Sequence, residues 1–282
     1  MKNKNPLLQP FLKWVGGKRQ LLPEIRKLVP KKYNSYYEPF LGAGAVLFDL
    51  KPKKAVVNDL NEELINCYKA IKEELLDLIK DLKNHKNTSE YFYELRQKDR
   101  TAEYGQLTSY QKASRIIYLN KTCFNGLFRV NSQGQFNAPF GRYANPSYLN
   151  EPVLTAVRNY LTENDITITN SDFTESLQTA KKGDFVYIDP PYDPISDTAS
   201  FTGYNLNQFY QNDQRRLKTL VDELNNKGCH ILLSNSSTDF IRDLYKDYNI
   251  RTIKANRNIN SNAEKRGKVD ELLIYNYDLE IC

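Results

Sequence analysis

The tetrapeptide Asp189-Pro190-Pro191-Tyr192 sets a carboxylate, two residues without an N–H and an aromatic ring in consecutive positions. The prolines end both a ladder and a helix, so the Asp189 carboxylate and the Pro190 carbonyl stay available as acceptors on a stiff backbone. Two acceptors beside a ring suit a planar aromatic amine such as that of adenine. Its lone pair is delocalised into the ring, which makes it a poor nucleophile. Accepting both amine hydrogens draws the nitrogen toward tetrahedral geometry and aims the lone pair at an electrophile, while Tyr192 stacks on the base. The chemistry this predicts is methyl transfer. A plain Pro-Pro turn with a solvated acid has the same four letters, so the surrounding elements must decide.

Phe185-Val186-Tyr187-Ile188 precedes the motif and has the length and apolar character of a buried strand. The motif then lies at the carboxyl end of that strand, where open α/β sheets bind ligands. Near the start, Phe11-Leu12-Lys13-Trp14-Val15-Gly16-Gly17-Lys18-Arg19 turns into a helical pattern from Gln20 to about Leu28. With Lys18 at the helix's amino end the turn suits an anion. It is not a P-loop, because the upstream glycine is missing and Arg19 stands where Ser or Thr would bind magnesium. Trp14 can wall the same pocket. Tyr36 to Phe40 reads as a strand running into Leu41-Gly42-Ala43-Gly44, and Ala45 to Leu50 as a helix. Strand Ala55 to Asn58 delivers Asp59 where a Rossmann-like unit puts the acid that binds ribose hydroxyls. Cofactor adenosine follows from that position. Leu47 takes the place of the third glycine of the dinucleotide fingerprint, which argues against a dinucleotide.

The alternation of strand and helix is interrupted after Asp59. Leu60 to about Asn84, Ser89 to Lys98 and Ser109 to Lys121 are helical in pattern, so residues 61–164 read as an inserted, mostly helical subdomain between two parts of an α/β domain, 1–60 and 165–282. Phe128 to Asn137 is a hairpin signal with Gly134 in its turn. Between Glu103 and Glu151 there is no acid, yet Lys112, Arg115, Lys121, Arg129 and Arg142 lie there among many aromatics. A polyanion with stackable bases attracts such a stretch. Alternation resumes with strand Ile166 to Thr169, Ser171-Asp172-Phe173 with a helix to about Ala180, and the motif strand. A polar loop through Asn205 follows, then a helix from Asn212 to about Asn226, strand Cys229 to Ser234, helix Asp239 to Lys246, strand Ile250 to Ile253 and strand Glu271 to Tyr277. The polar run Arg257 to Lys268 predicts a loop able to track phosphates.

The 282 residues, 40% hydrophobic, suffice for one large core or two unequal ones without staples. No apolar run reaches membrane length and the start has no signal-peptide core, so a cytoplasmic protein is expected. The four cysteines form no C-x-x-C pair and there are two histidines, which predicts no metal site and makes Cys123 and Cys229 core residues.

In this order the segments FLKWVGGKRQLL, EPFLGAG, VVNDL, FNGLFRVNSQGQFNAPFGRY, SDF and DPPY resemble the Dam-like family of DNA adenine-N6 methyltransferases, over Phe11 to about Tyr277. The resemblance implies S-adenosylmethionine lying across the loop at 42–44, bordered by Phe40, Gly42 and Gly44. Trp14 and Lys18 would bound its methionine part, Asp59 its ribose and Asp172 with Phe173 its adenine, and Asp189 would bridge cofactor and target. The catalytic set would be Asp189, Pro190, Pro191 and Tyr192, acting without metal on a base flipped out of double-stranded DNA. The same resemblance makes Arg129 a guanine reader in GATC, Asn125 and Pro139 base contacts, Leu127 and Phe124 wedges and Lys13 a contact from outside the insert. Phe124 departs from the tyrosine often found there. A monomer is the expected state.

Overall fold

Strand pairing brings the glycine loop and the Asp-Pro-Pro-Tyr loop together. The computed structural model describes residues 6–14, 16–194, 209–256 and 268–279. Among these the strands are β1 (Tyr36–Glu38), β2 (Lys54–Asn58), β3 (Asp165–Thr169), β4 (Phe185–Ile188), β5 (His230–Ser236), β6 (Asn249–Asn256) and β7 (Lys268–Tyr275). They form one sheet in the order β3-β2-β1-β4-β5-β7-β6. The first five are parallel; β7 runs antiparallel to both of its neighbours. The chain winds outward from β1 through β2 to β3, then crosses back to place β4 on the other side of β1. Tyr36 pairs with Phe185 and Tyr37 with Val186, so the loops after β1 and β4 leave side by side at the switch point of a doubly wound, Rossmann-like sheet.

Side chains alternate across this sheet as strand geometry requires. Tyr36, Phe185, Tyr187, Leu232 and Leu273 enter one core, and Tyr37, Val186, Ile188, Ile231, Leu233, Leu272 and Ile274 enter the other. Each fully buried aliphatic or aromatic side chain contributes about 1.5–3 kcal/mol relative to exposure. The first core is covered by α1 (Leu22–Leu28), α2 (Ala45–Leu50), α3 (Glu62–Glu73), α4 (Leu75–Lys83) and, further along, the helices Ser109–Thr122 and Glu151–Glu163. Ahead of Ser109–Thr122 comes α5 (Ser89–Gln97); those two later helices are α6 and α7. The opposite core is covered by α8 (Phe173–Ser176), α9 (Gln211–Asn226) and α10 (Asp239–Leu244). Polar side chains start several helices: Asn61 accepts from Leu64 N–H, Thr88 from Tyr91 N–H and Asn150 from Val153 N–H, satisfying amides that have no partner within the helix.

The structure differs from the sequence expectations in several places. The single helix expected from Leu60 to Asn84 is two, α3 and α4, broken at Glu74, whose φ of −126° leaves the helical region. The helix expected to reach Ala180 ends at Ser176. The hairpin at 128–137 is held by a bridge between Val130 and Phe136 and by Asn137 N–H donating to Arg129 O at 2.8 Å, too short a pairing for regular strands. Arg115, counted above with the basic stretch, is 1% exposed; it pairs with Asp99 at 2.6 Å and donates to Leu95 O and Arg96 O. The acid that neutralises it comes from outside the acid-free segment, so Arg115 is a core cation and adds nothing to a DNA-facing surface. Cys67, Cys123 and Cys229 are buried thiols. No described helix is long and apolar enough to cross a membrane, and no described group of acids, cysteines and histidines has the makings of a metal site. The loops expected up to Asn205 and at Arg257 to Lys268 lie, for residues 195–205 and 257–267, outside the described residues.

Candidate active site

Because β4 is parallel to β5, with Ile188 opposite Leu233, the residues that follow them, Asp189 and Ser234, come side by side. Ser234 Oγ donates to Asp189 Oδ1 at 2.8 Å. The same oxygen receives Lys18 Nζ at 2.9 Å, and Lys18 Nζ also donates to Gly16 O at 2.7 Å. Lys18 is only 7% exposed, folded in by the turn at Gly16 and Gly17. Its ammonium lies 4.6 Å from the centroid of the Tyr192 ring. Burial raises the Asp189 carboxyl above its usual range, while Lys18 and Ser234 favour the anion. The result is a carboxylate held by two donors, with one oxygen, Oδ2, carrying no partner among the described residues.

The backbone of the motif is anchored from α9 and β5. Gln214 donates to Pro191 O at 2.9 Å, and Asn235 bonds both Gln214 and the Asp193 amide. Pro190 O keeps no such partner among the described residues. On the far side, Tyr192 donates its phenol hydrogen to Glu271 at 3.0 Å.

Across the switch point, Asp59 shapes the glycine loop. Its carboxylate accepts from Gly42 N–H and Asn61 N–H, both at 2.9 Å. Two hydrogen bonds leave further lone pairs on a half-buried carboxylate, which is what ribose hydroxyls need. Burial raises its carboxyl pKa against those two amides. Gly44, at φ 68°, has no room for a side chain, since a Cβ would lie 2.7 Å from the Tyr68 hydroxyl. Asn58 joins the loops after three strands: it donates to Pro39 O and Ser171 O and accepts from Ser171 N–H. Phe40 and Phe173 pack against one another at 5.4 Å, with Phe209 edge-on to Phe40, and form an apolar cluster beside the glycine loop. Asp172 offers no free carboxylate beside that cluster. Its oxygens cap Thr174 and pair with Arg216 at 2.8 Å, which lowers its pKa against the cost of burial.

The recognition candidates cluster around a link between Lys13 and the turn after α6. Trp14 stacks on Phe128 at 4.7 Å and borders Gly42. Fully buried Asn120 accepts from Lys13 N–H and donates to Lys13 O and Gly126 O, which fastens residue 13 to the Phe124-Asn125-Gly126 turn. Lys13 is exposed beside the Tyr143 ring, Phe124 is 53% exposed, Asn125 and Pro139 are exposed and Leu127 is half-buried. Phe124 N–H donates to Pro139 O, so these two share one edge. The Arg129 guanidinium donates to the side chain and the backbone carbonyl of Asn137, at 2.6 and 3.0 Å. Two of the five N–H donors of its fork are therefore engaged within the hairpin. Ser234, Glu271, Asn58, Gln214 and Asn120 escaped the sequence reading; their roles come from register and from contacts between distant segments, which no local pattern announces.

A mostly parallel sheet whose switch point joins a glycine loop and acid on one side to an Asp-Pro-Pro-Tyr loop on the other defines an amino-methylating enzyme. The chain belongs to the family described as D12 class N6 adenine-specific DNA methyltransferase, whose model matches residues 14–259. It is 46% identical over 272 residues, covering 96% of both chains, to the Type II methyltransferase M1.LlaDCHI of Lactococcus lactis subsp. cremoris. It is also 36% identical to the DNA adenine methylase of Serratia marcescens, covering 93% of this chain and 96% of that one, and 34% identical to that of Escherichia coli K12, covering 93% of both. The protein is thus an adenine-specific DNA methyltransferase, and a DNA substrate and a methyl donor follow from that membership.

Proposed function

We propose that this enzyme methylates N6 of adenine in GATC duplexes, with S-adenosylmethionine as donor, after flipping the base into the site between Asp189 and Tyr192. The observation that carries the reading is the Asp189 carboxylate, fixed by Lys18 and Ser234, with Oδ2 and the Pro190 carbonyl without a partner among the described residues, beside the Tyr192 ring. Asp189 Oδ2 and Pro190 O accept the two amine hydrogens, which frees the nitrogen lone pair, and Tyr192 stacks on the base. An adenine in a duplex cannot reach a site this recessed unless it leaves the stack.

The residues fit the donor. Asp59 offers lone pairs to ribose hydroxyls, the Phe40 and Phe173 cluster offers an apolar surface to an adenine, Gly42 and Gly44 allow backbone approach, and Lys18 with Trp14 suits the carboxylate and apolar stem of the methionine end. When bound, S-adenosylmethionine supplies a methyl group activated on a sulfonium. Asp189 need not be a strong base, because the amine nitrogen loses its surplus proton only as or after it attacks.

Residues 61–164 serve as target-recognition subdomain, with residues 1–60 and 165–282 as the catalytic part. Arg129 exchanges its bonds to Asn137 for guanine O6 and N7, an Arg fork being the side chain that matches that edge. Phe124 and Leu127 fill or wedge the stack, and Asn125, Pro139 and Lys13 contact bases. The test is labelled methyl transfer to duplexes with and without GATC, followed by nucleoside analysis. Label in N6-methyladenine from GATC duplexes alone supports the reading; equal transfer to duplexes lacking GATC removes the sequence assignment, and label in another base removes the reaction.

A further inference from the structure

Glu271 belongs to the last strand, far in sequence from every motif described above. It reaches the active-site edge because β7 is antiparallel: its first residues lie beside the carboxyl ends of the parallel strands, with Glu271 opposite Ser236 of β5. By the two-residue period, Glu271 shares a face with Leu273, which packs with Tyr187, whereas Leu272 and Ile274 enter the opposite core. That face ends in a polar set: Tyr187 hydroxyl 3.2 Å from Ser234 Oγ, Ser234 on Asp189, and Glu271 accepting from the Tyr192 hydroxyl at 3.0 Å. Among the described residues Glu271 has no cationic partner. Its described hydrogen bond is the one to Tyr192.

We propose that Glu271 is a positioning residue for the transfer step: by accepting the Tyr192 phenol hydrogen it fixes the ring plane on which the target base stacks. This rests on the reading of Tyr192 as the stacking residue. A tyrosine ring on a loop swings about χ1 and χ2 unless its far end is tied. With Lys18 over the ring and Glu271 at the hydroxyl, Tyr192 is held both at its face and at its tip. A ring tied in this way acts on orientation of the base, so its release lowers turnover of bound substrate more than it lowers binding.

The test compares Glu271→Leu, Glu271→Gln, Tyr192→Phe, Tyr192→Ala and the double variant Glu271→Leu/Tyr192→Phe in steady-state transfer to a GATC duplex, with calorimetric cofactor binding as the sign of an intact fold. Glu271→Leu should lower kcat roughly ten- to a hundredfold, the equivalent of one charge-assisted hydrogen bond, with KM for duplex and cofactor nearly unchanged. Glu271→Gln keeps an acceptor and should restore most of kcat. Tyr192→Phe removes the same bond from the other end, so it should match Glu271→Leu, and the double variant should be no worse than either. Additive losses in the double variant, or full turnover in Tyr192→Phe with a cofactor-binding Glu271→Leu impaired, would overturn the inference. If Tyr192→Ala lowers kcat and Glu271→Leu does not, the inference fails while the stacking reading stands; if Tyr192→Ala turns over normally, both fail.

Discussion

Lys18 Nζ stands 2.9 Å from Asp189 Oδ1 and 4.6 Å from the Tyr192 ring centroid, so one ammonium, brought in by the turn at Gly16 and Gly17, touches two residues of the Asp-Pro-Pro-Tyr loop. The pair is mostly buried, where breaking one partner costs more than the pair contributes. In the proposed mechanism Asp189 accepts the amine hydrogens as the anion, and burial already raises its pKa. Lys18→Met removes the charge that favours the anion. The acid limb of kcat, measured at saturating cofactor, should move to higher pH, with activity lost as pH falls through the raised pKa. An unmoved limb would mean that another group sets it.

Asp59 fixes the glycine loop and, in the proposed complex, holds the ribose. Asp59→Ala should weaken binding of S-adenosylmethionine by about 1–3 kcal/mol, the range for hydrogen bonds to a charged group, as read by calorimetry. Unchanged affinity would leave Asp59 a loop-shaping residue only, bonded to Gly42 and Asn61.

Arg129 and Lys121 should separate sequence reading from phosphate binding. Arg129→Ala should cost about 1–3 kcal/mol of discrimination at the guanine and leave binding to unrelated DNA nearly intact. Lys121 is partly buried near Lys13 and Arg19, and burial with those charges lowers its pKa to about 8. Lys121→Ala should weaken all duplexes alike and shallow the salt slope by about one unit. In the parent enzyme that contribution should fade as pH rises through 8. Parallel loss on all duplexes by Arg129→Ala, with a shallower salt slope, would make Arg129 a backbone clamp.

His85 is a stability element of the helices between β2 and β3. It bonds the Tyr91 hydroxyl at 2.7 Å and Ser114 Oγ at 2.8 Å, and burial lowers its pKa to about 4. A histidine kept neutral in the folded state contributes stability that is full above about pH 6.5 and lost as pH falls toward 4, at most about 3 kcal/mol. Urea unfolding at pH 7.5 and 4.5 should show a smaller acid loss for His85→Gln than for the parent. Equal losses would assign the acid sensitivity to the carboxylates.

The sheet was legible because its strands are short apolar runs bounded by turn residues: Phe185 to Ile188 and the helix Ala45 to Leu50 have the expected limits. Nothing in the residue types marks the break at Glu74, since the apolar spacing from Leu64 to Leu82 runs on unbroken. Helix α7 hid in a stretch read only as part of the insert, although Asn150 and Pro152 are ordinary start signals. Asp189, Lys18 and Asp59 were legible as chemistry, and the structure brings the first two into contact. Ser234 and Glu271 were not, because only strand register and the antiparallel turn of β7 carry them to the loop.

The central claim is that Asp189 activates the amine of a flipped adenine. The direct measurement is single-turnover transfer of labelled methyl from S-adenosylmethionine to a GATC duplex by Asp189→Ala, beside its duplex binding and thermal unfolding. A folded variant that binds the duplex and transfers no methyl to N6 of adenine is the predicted result. Substantial residual transfer by that variant would contradict the assignment of Asp189 and the mechanism built on it.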